Sequence, residues 1–226
     1  MESAPTARSS STAGRWRRIS SNSVVARPDM TLADVLRRRR MTRRFAGEVS
    51  VPWIVEQCDL ARRAPSAGYA QGTHFLVLSG ECLARFWDVS GAGTWFSERQ
   101  PGVLGAAAVV LVLADRSVYE TRYSEADKAG HGLETADGWA VPYWLTDAAM
   151  AAQNLLLLVE EARFGALFFG LFVEPRRTLR AFGVPEHVDC VGAVAIGRRA
   201  VDDVASGSGA RRGRRPLDEV AHLGTW

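Results

Sequence analysis

Residues 147–170 read DAAMAAQNLLLLVEEARFGALFFG and contain the longest helical pattern of the chain. The seventeen residues from Asp147 to Arg163 are almost wholly apolar as far as Val159. A helix that is apolar on all its faces belongs in the centre of a fold or in a subunit interface. We therefore predict a central helix that begins at Asp147, ends at Arg163 and is capped beyond its end by Gly165.

Two capped helices are predicted before this segment. Thr31 stands three residues before Asp34, which is the pattern of a capping box, and apolar residues with helical spacing follow. Ser50 is a suitable N-cap, and Pro52 fits the first turn of a second helix, which we expect to end at Pro65.

Shorter elements fill the rest of the chain. Val109–Leu113 is apolar throughout and predicts a strand that is buried on both faces. Asp115–Tyr143 is the least regular stretch and is interpreted as a long loop. The other predicted elements are the strands His74–Leu78 and Cys190–Ile196 and the helices Glu81–Trp87 and Pro175–Phe182. This mixture of helices and strands in one domain predicts an α+β fold.

Composition limits the class of protein. The chain has 226 residues, of which 47% are hydrophobic, so it can bury a full core. Its longest apolar run, Val103–Ala114, has twelve residues, whereas a membrane-spanning helix needs about 20. The three cysteines have no C-x-x-C spacing and the four histidines lie far apart, so we expect neither disulfides nor a metal site. The reducing cytoplasm is the expected location.

The positive charge is concentrated at the N-terminus. Residues 1–45 hold eleven Arg against three acidic residues, a formal charge of +8, whereas the remainder carries −5. Residues 1–28 contain too little apolar surface to fold, which predicts a disordered basic arm followed by one domain over residues 29–226. A transit peptide or a nucleic-acid-binding arm would also fit this composition.

An arginine cluster follows the first helix, where residues 39–45 read RRMTRRF. Guanidinium groups match the geometry of phosphate oxygens, and two or three at one site hold a phosphate group, so this cluster is a candidate phosphate site. A solvated run of charges is the alternative for this motif alone.

Two further stretches favour a flat ligand. Residues 64–72 read APSAGYAQG, and such small side chains let the backbone approach a ring while Ser66 and Gln71 offer hydrogen bonds. Residues 165–170 read GALFFG, where backbone amides stand beside aromatic rings, as a flavin requires. The alternatives are that residues 64–72 are an ordinary connection between a helix and a strand, and that the aromatic residues of 165–170 only fill the core.

The order of these motifs resembles that of the FMN-dependent nitroreductase family. Its members carry an R-R-S-x-R-x-F-like motif, then A-P-S-x-x-N-x-Q-P, then a helix of the A-x-x-N-L-L-L-A-A type with L-G-x-x-x-x-x-G, and finally K-x-R-x-P-L-x-E-V. The matching stretches are residues 39–45, 64–72, 152–170 and 212–220. Met41, Tyr69 and Gly72 stand where the family usually has Ser, Asn and Pro.

The resemblance implies a nitroreductase-like three-layer α+β fold, with a mostly antiparallel central sheet flanked by helices, in an interlocked homodimer that holds FMN in its interface. It also implies contacts to the cofactor. Around the phosphate and the ribityl chain we expect Arg39, Arg40, Met41 and Arg43 together with Arg212 and Arg214 from the tail. From the opposite subunit we expect Pro65, Ser66 and Ala67, with Gln71 as a further contact, and near the ring we expect Phe168, Phe169 and Gly170.

The activity implied by the resemblance is a two-step, ping-pong reduction. NAD(P)H would deliver hydride to flavin N5, and an electron-poor small molecule such as a nitroaromatic or a quinone would then be reduced. Trp139, Tyr143 and Trp144 are candidates for a lid or wall of the substrate pocket, or they merely pack. We expect no membrane or nucleic-acid partner. The alternatives are a flavin-dependent dehydrogenase, an enzyme that consumes the flavin, and a basic nucleic-acid-binding module.

Overall fold

The computed structural model describes residues 30–171, 173–205 and 211–226. The predicted basic arm, residues 1–28, lies outside them. The main elements in chain order are α1 (Leu32–Arg38), α2 (Val51–Ala61), β1 (Thr73–Ser79), α3 (Gly80–Val89), α4 (Ala92–Arg99), β2 (Ala108–Asp115), α5 (Arg116–Tyr123), α6 (Tyr143–Glu161), β3 (Gly165–Phe169), α7 (Pro175–Ala181) and β4 (Val188–Gly197). Short 3-10 turns occupy Ala67–Tyr69, Pro101–Gly105, Ala136–Gly138 and Leu217–Glu219.

The described strands form one antiparallel sheet in the order β1, β2, β4, β3. Val110 of β2 lies opposite Val77 of β1 on one side and Val194 of β4 on the other. The strand β3 comes last in this order and is therefore an edge of the sheet. Met41 makes an isolated parallel bridge with Ala166 of β3.

Side chains alternate along β2 between two cores. Val110 and Val112 belong to a core that also contains residues of α2 and α6, whereas Val109 and Leu111 belong to a core with residues of α3, α4 and α7. All four of these valine and leucine residues are fully buried. Helices therefore cover both faces of the sheet, which confirms the predicted three-layer α+β fold and the strand that is buried on both faces.

The helix α6 confirms the predicted central helix but not its ends. It begins at Tyr143 rather than Asp147 and ends at Glu161. Asp147 lies inside the helix, only 3% exposed, so it is not the cap that the sequence predicted. Gly165 is the first residue of β3 rather than a cap, because the chain turns at Arg163 with a φ of 64°.

Other boundaries also differ from the predictions. The first part of the predicted loop Asp115–Tyr143 is the helix α5, whose N-cap is the Asp115 side chain. The helix α2 ends at Ala61, before Pro65, while its Ser50 cap and the capping box at Thr31 are confirmed. The sequence did not predict α4 or the strand β3. Among the described helices, none combines the length and the apolar composition that a membrane span requires.

We expect Leu155→Ala to lower the free energy of unfolding by about 2–5 kcal/mol, because Leu155 is completely buried in α6 and its truncation leaves a cavity. Urea titration followed by circular dichroism measures this loss. The control is Leu32→Ala in α1, where the side chain is 65% exposed and the expected change is below about 0.5 kcal/mol. Equal losses in both variants would contradict the central position of α6.

Candidate cofactor and substrate site

A cavity of about 670 Å³ lies beside the edge strand β3 and is lined mainly by apolar side chains. Two of the predicted motifs meet in it, since both Arg43 and the segment 168–170 contribute to the lining. The remaining lining residues are Ser90, Gly91, Ala92, Trp95, Phe96, Gln100, Leu167, Leu171 and Val173. The cavity therefore offers a large apolar volume with a guanidinium group in its wall.

Aromatic contacts hold Phe169 in this wall. The Trp87 ring stacks on the Phe169 ring with a centroid distance of 6.1 Å and an angle of 18° between the planes. Phe96 meets Phe169 edge to face at 5.2 Å. Such aromatic pairs favour defined ring orientations, so this side of the cavity is preformed.

Phe168 is held from two sides. Its backbone N–H donates a hydrogen bond to the Met41 Sδ atom at 3.4 Å. Its ring lies over Gly192, where a Cβ atom would approach the Phe168 Cε2 atom to 2.6 Å. Met41, which replaces the usual Ser of the family motif, thus links the arginine cluster to β3 rather than presenting a hydroxyl group.

The arginine cluster is anchored by a buried carboxylate that the sequence analysis did not identify. Asp203 follows β4, and its side chain is 1% exposed. Its Oδ1 atom accepts hydrogen bonds from the backbone N–H groups of Arg43 and Arg44, both at 2.9 Å. Its backbone oxygen accepts from Arg40 Nη2 at 2.6 Å, and its Oδ2 atom forms an ion pair with Arg40 Nη1.

A second buried carboxylate lies close by. Glu160 near the end of α6 is 3% exposed and accepts a hydrogen bond from Arg199 Nη2 at 2.7 Å. Arg38 also approaches Glu160, with 3.8 Å between Nε and Oε1. Arg199 Nε donates to Thr42 Oγ1 at 3.1 Å, so this pair contacts the middle of the arginine cluster.

These pairings divide the predicted phosphate ligands into two groups. Arg40 is bound to Asp203, whereas Arg39 and Arg43 form no ion pair within the described residues. The Nη1 atom of Arg39 is buried and has no hydrogen-bond partner there. A buried guanidinium nitrogen without a partner is costly unless a ligand supplies an acceptor, and a phosphate group fits this need.

The small-residue loop after α2 is fixed by a different buried carboxylate. Asp147 Oδ2 accepts hydrogen bonds from the backbone N–H of Ala67 and from the hydroxyl of Tyr119, both at 2.8 Å. Within the loop, the Gln71 N–H donates to Ser66 Oγ at 3.0 Å. Burial and the adjacent Asp147 carboxylate raise the pKa of Tyr119, so its hydroxyl stays protonated and donates.

The same tyrosine explains why residue 72 is glycine. A Cβ atom on Gly72 would lie 2.5 Å from Tyr119 Cε2 and 2.7 Å from the backbone oxygen of Asp115. A proline ring, usual at this position in the family motif, would meet both groups. The position of the Tyr119 ring therefore requires a glycine at residue 72.

The other predicted contacts of this loop lie outside the cavity. Neither Pro65, Ser66, Ala67 nor Gln71 lines it in the single chain. Tyr69 and Gln71 have positive φ values, 58° and 61°, which non-glycine residues seldom adopt. Such conformations persist only where neighbouring contacts impose them.

The three residues predicted as a lid pack with one another instead of lining the cavity. Trp139 contacts Tyr143 at 5.7 Å and Trp144 at 6.1 Å, and it also packs against the Tyr119 ring. Trp144 is 7% exposed and belongs to the core, while Tyr143 is 46% exposed. Of these three residues, Tyr143 is the only exposed one.

The tail does not join the arginine cluster within one chain. Residues 211–226 are exposed throughout, and neither Arg212 nor Arg214 lines the cavity. Within the described part of the tail, Arg215 pairs with Glu219. The prediction that tail arginines reach the phosphate site across subunits stays a prediction.

The fold and the arrangement of its layers define a nitroreductase-like α+β protein. The sequence profile of the nitroreductase family matches residues 36–198, so the chain belongs to this family, whose members are oxidoreductases. A provisionally assigned NADH dehydrogenase/NAD(P)H nitroreductase of Methanothermobacter thermautotrophicus is 25% identical over 173 residues, covering 74% of this chain and 77% of that protein.

Solved structures agree with the fold. A provisionally assigned nitroreductase from Desulfovibrio desulfuricans, in complex with FMN, aligns with a TM-score of 0.63 and 22% identity over 88% of this chain and 99% of its own. The nitroreductase CinD from Lactococcus lactis, in complex with chloramphenicol, aligns with a TM-score of 0.62 and 17% identity over 82% and 100% of the two chains.

We expect Tyr119→Phe to lower the free energy of unfolding by about 1–3 kcal/mol, because the buried Asp147 carboxylate loses a hydrogen-bond donor. Urea denaturation measures the change. Tyr123→Phe is the matched control, since the Tyr123 hydroxyl forms no hydrogen bond among the described residues and its ring is kept. If both variants are as stable as the wild type, the hydrogen bond from the Tyr119 hydroxyl to Asp147 does not stabilise the fold.

Proposed function

We propose that this chain is an FMN-dependent oxidoreductase that takes reducing equivalents from NAD(P)H and passes them to an electron-poor small molecule, such as a nitroaromatic or a quinone, by a ping-pong mechanism. The cavity that joins Arg43 to residues 168–170 supports this proposal most directly. Membership of the nitroreductase family supports the same class of reaction.

The phosphate end of the cofactor would be held by Arg39 and Arg43. Both guanidinium groups lack a carboxylate partner in the described chain, and together they carry two positive charges. A phosphate monoester carries about −1.5 to −2 at pH 7, so the charges match. Each charged hydrogen bond contributes about 1.5–3 kcal/mol, which leaves burial of the ring to supply the remaining affinity.

The apolar wall would take the ring of the cofactor. When bound, FMN supplies an isoalloxazine that can accept hydride from a nicotinamide and donate it to an acceptor. The chain itself contributes position and surroundings. Phe168, Phe169 and Gly170 would orient the ring, and the apolar lining would exclude water from it.

The proposal includes a homodimer. The loop residues 65–71 do not line the cavity of their own chain, and the tail exposes four large apolar side chains, Leu217, Val220, Leu223 and Trp226. In a dimer the loop would reach the cofactor bound to the second copy, and Met41, Arg212 and Arg214 would remain candidate contacts. The free thiols of Cys58, Cys82 and Cys190 are consistent with a reducing, cytoplasmic environment.

An absorbance spectrum tests the proposed function. We expect the purified full-length protein, or the protein after incubation with FMN and desalting, to retain flavin absorbance near the visible maximum of FMN. That absorbance should bleach when NADH or NADPH is added without oxygen and return when a nitroaromatic or a quinone is added. Protein that takes up no FMN would overturn the proposal.

Arginine variants test the assignment of the phosphate site. We expect Arg39→Ala and Arg43→Ala each to raise the Kd for FMN by about tenfold or more, because each removes a charged hydrogen bond. Quenching of flavin fluorescence measures the Kd. Arg177→Ala is the control, because this exposed arginine of α7 pairs with the exposed Glu174 and lies outside the cavity. An unchanged Kd in both site variants would contradict the assignment.

A further inference from the structure

Asp203 holds three arginines of the cluster from one position. Its Oδ1 atom accepts two backbone N–H groups, those of Arg43 and Arg44, each at 2.9 Å. Its backbone oxygen and its Oδ2 atom both engage the Arg40 guanidinium group. These contacts join residues that are about 160 positions apart in the sequence.

The arginine cluster has little regular structure of its own. Between the end of α1 at Arg38 and the start of α2, the described chain forms no helix or strand. It makes the isolated bridges Met41↔Ala166 and Phe45↔Arg199 and single backbone hydrogen bonds, such as that from the Phe45 N–H to the Gly102 oxygen. A backbone without a continuous ladder is directed by the side chains that bind its amides. Asp203 therefore helps to fix the backbone from which the Arg43 side chain extends, and the Arg43 Nη1 atom also donates a hydrogen bond to the Met41 backbone oxygen at 3.4 Å.

The negative charge of the buried Asp203 carboxylate must be balanced by a cation. A buried carboxylate near a phosphate site would repel the phosphate unless a cation neutralised it. Arg40 supplies that cation, with its side chain 29% exposed against 1% for Asp203, and the Arg199 Nε atom lies 4.0 Å from the Asp203 Oδ2 atom. The pair is therefore internally compensated, and Arg39 and Arg43 keep their charge for a ligand.

We propose that Asp203 is a positioning residue for recognition of the cofactor phosphate, acting through the backbone of the arginine cluster and through Arg40. This inference rests on the proposed function. In this assignment Arg40 binds Asp203 and does not contact the phosphate directly. We expect substitution of Asp203 to weaken binding of the phosphate group of the ligand and to leave binding of the ring unchanged.

Comparison of FMN with riboflavin, which lacks the phosphate, isolates that end of the ligand. In full-length protein freed of flavin, we expect Asp203→Ala to raise the Kd for FMN by about tenfold or more and to change the Kd for riboflavin less than about twofold. Asp203→Asn keeps an oxygen that can accept the amides of Arg43 and Arg44, so it should recover part of the FMN affinity. Fluorescence quenching gives each Kd without any measurement of activity.

The neighbouring Asp202 provides the matched control. It is 59% exposed and pairs with Arg44 at 3.1 Å, so Asp202→Asn removes one negative charge at almost the same place without releasing buried backbone amides. We expect this variant to keep the wild-type ratio of the two Kd values. If Asp203→Ala does not fold, Asp203→Asn still decides, with a raised FMN-to-riboflavin ratio of Kd values supporting the inference.

Three results would overturn the inference. Equal losses of FMN and riboflavin affinity would show a general structural role, and tighter FMN binding would show that Asp203 acts through its charge. Wild-type Kd values for both FMN and riboflavin in the Asp203 variants would show no role at all. A wild-type protein that binds neither flavin would instead refute the proposed function, so the two failures are distinguishable.

Discussion

The geometry of the site depends on two buried carboxylates whose negative charges must be balanced by neighbouring groups. Asp203 and Glu160 are almost fully buried, and such charges are stable only with partners. Asp203 has the Arg40 guanidinium group and two backbone amides, whereas Glu160 has the guanidinium groups of Arg199 and Arg38. Removing one partner from a buried ion pair costs about 3–5 kcal/mol, so these contacts tie the segment after α1 firmly to α6 and to the segment after β4. The geometry of the arginine cluster follows from them.

The sheet explains how these distant segments meet. The strands β3 and β4 are antiparallel neighbours, so Gly165 at the start of β3 lies opposite Gly197 at the end of β4. The end of α6, the arginine cluster and the segment that follows β4 converge at this corner. The opposite end of β3 leads into the aromatic wall at Phe169. A single edge strand thus runs from this charged corner to the apolar wall of the cavity.

The fold was largely predictable because its signals are local. The capping box at Thr31, the cap at Ser50 and the doubly buried strand Val109–Leu113 each follow from a few adjacent residues, and all three are confirmed. The start of α6 was predicted wrongly because Asp147 has the side chain of a good cap. In the folded chain that carboxylate instead serves Ala67 and Tyr119, which are distant in sequence.

The residues that hold the arginine cluster in place could not be predicted, because their contacts join segments that are distant in sequence. Asp203 is an ordinary acidic residue in a polar stretch, and nothing near it in sequence indicates burial. A better signal was available at Glu160, an acidic residue directly after the apolar run of α6 that ends at Val159, since a buried charge requires a partner. The motifs identified the arginines, but only the folded chain shows that Arg40 already has a carboxylate partner, whereas Arg39 and Arg43 have none among the described residues.

The most direct test of this account is a crystal structure of the full-length protein with FMN bound. The account predicts that the phosphate lies within hydrogen-bond distance of the guanidinium groups of Arg39 and Arg43, while Arg40 remains paired with Asp203. A phosphate bound by Arg40 with Asp203 displaced, or one bound away from all three arginines, would contradict it.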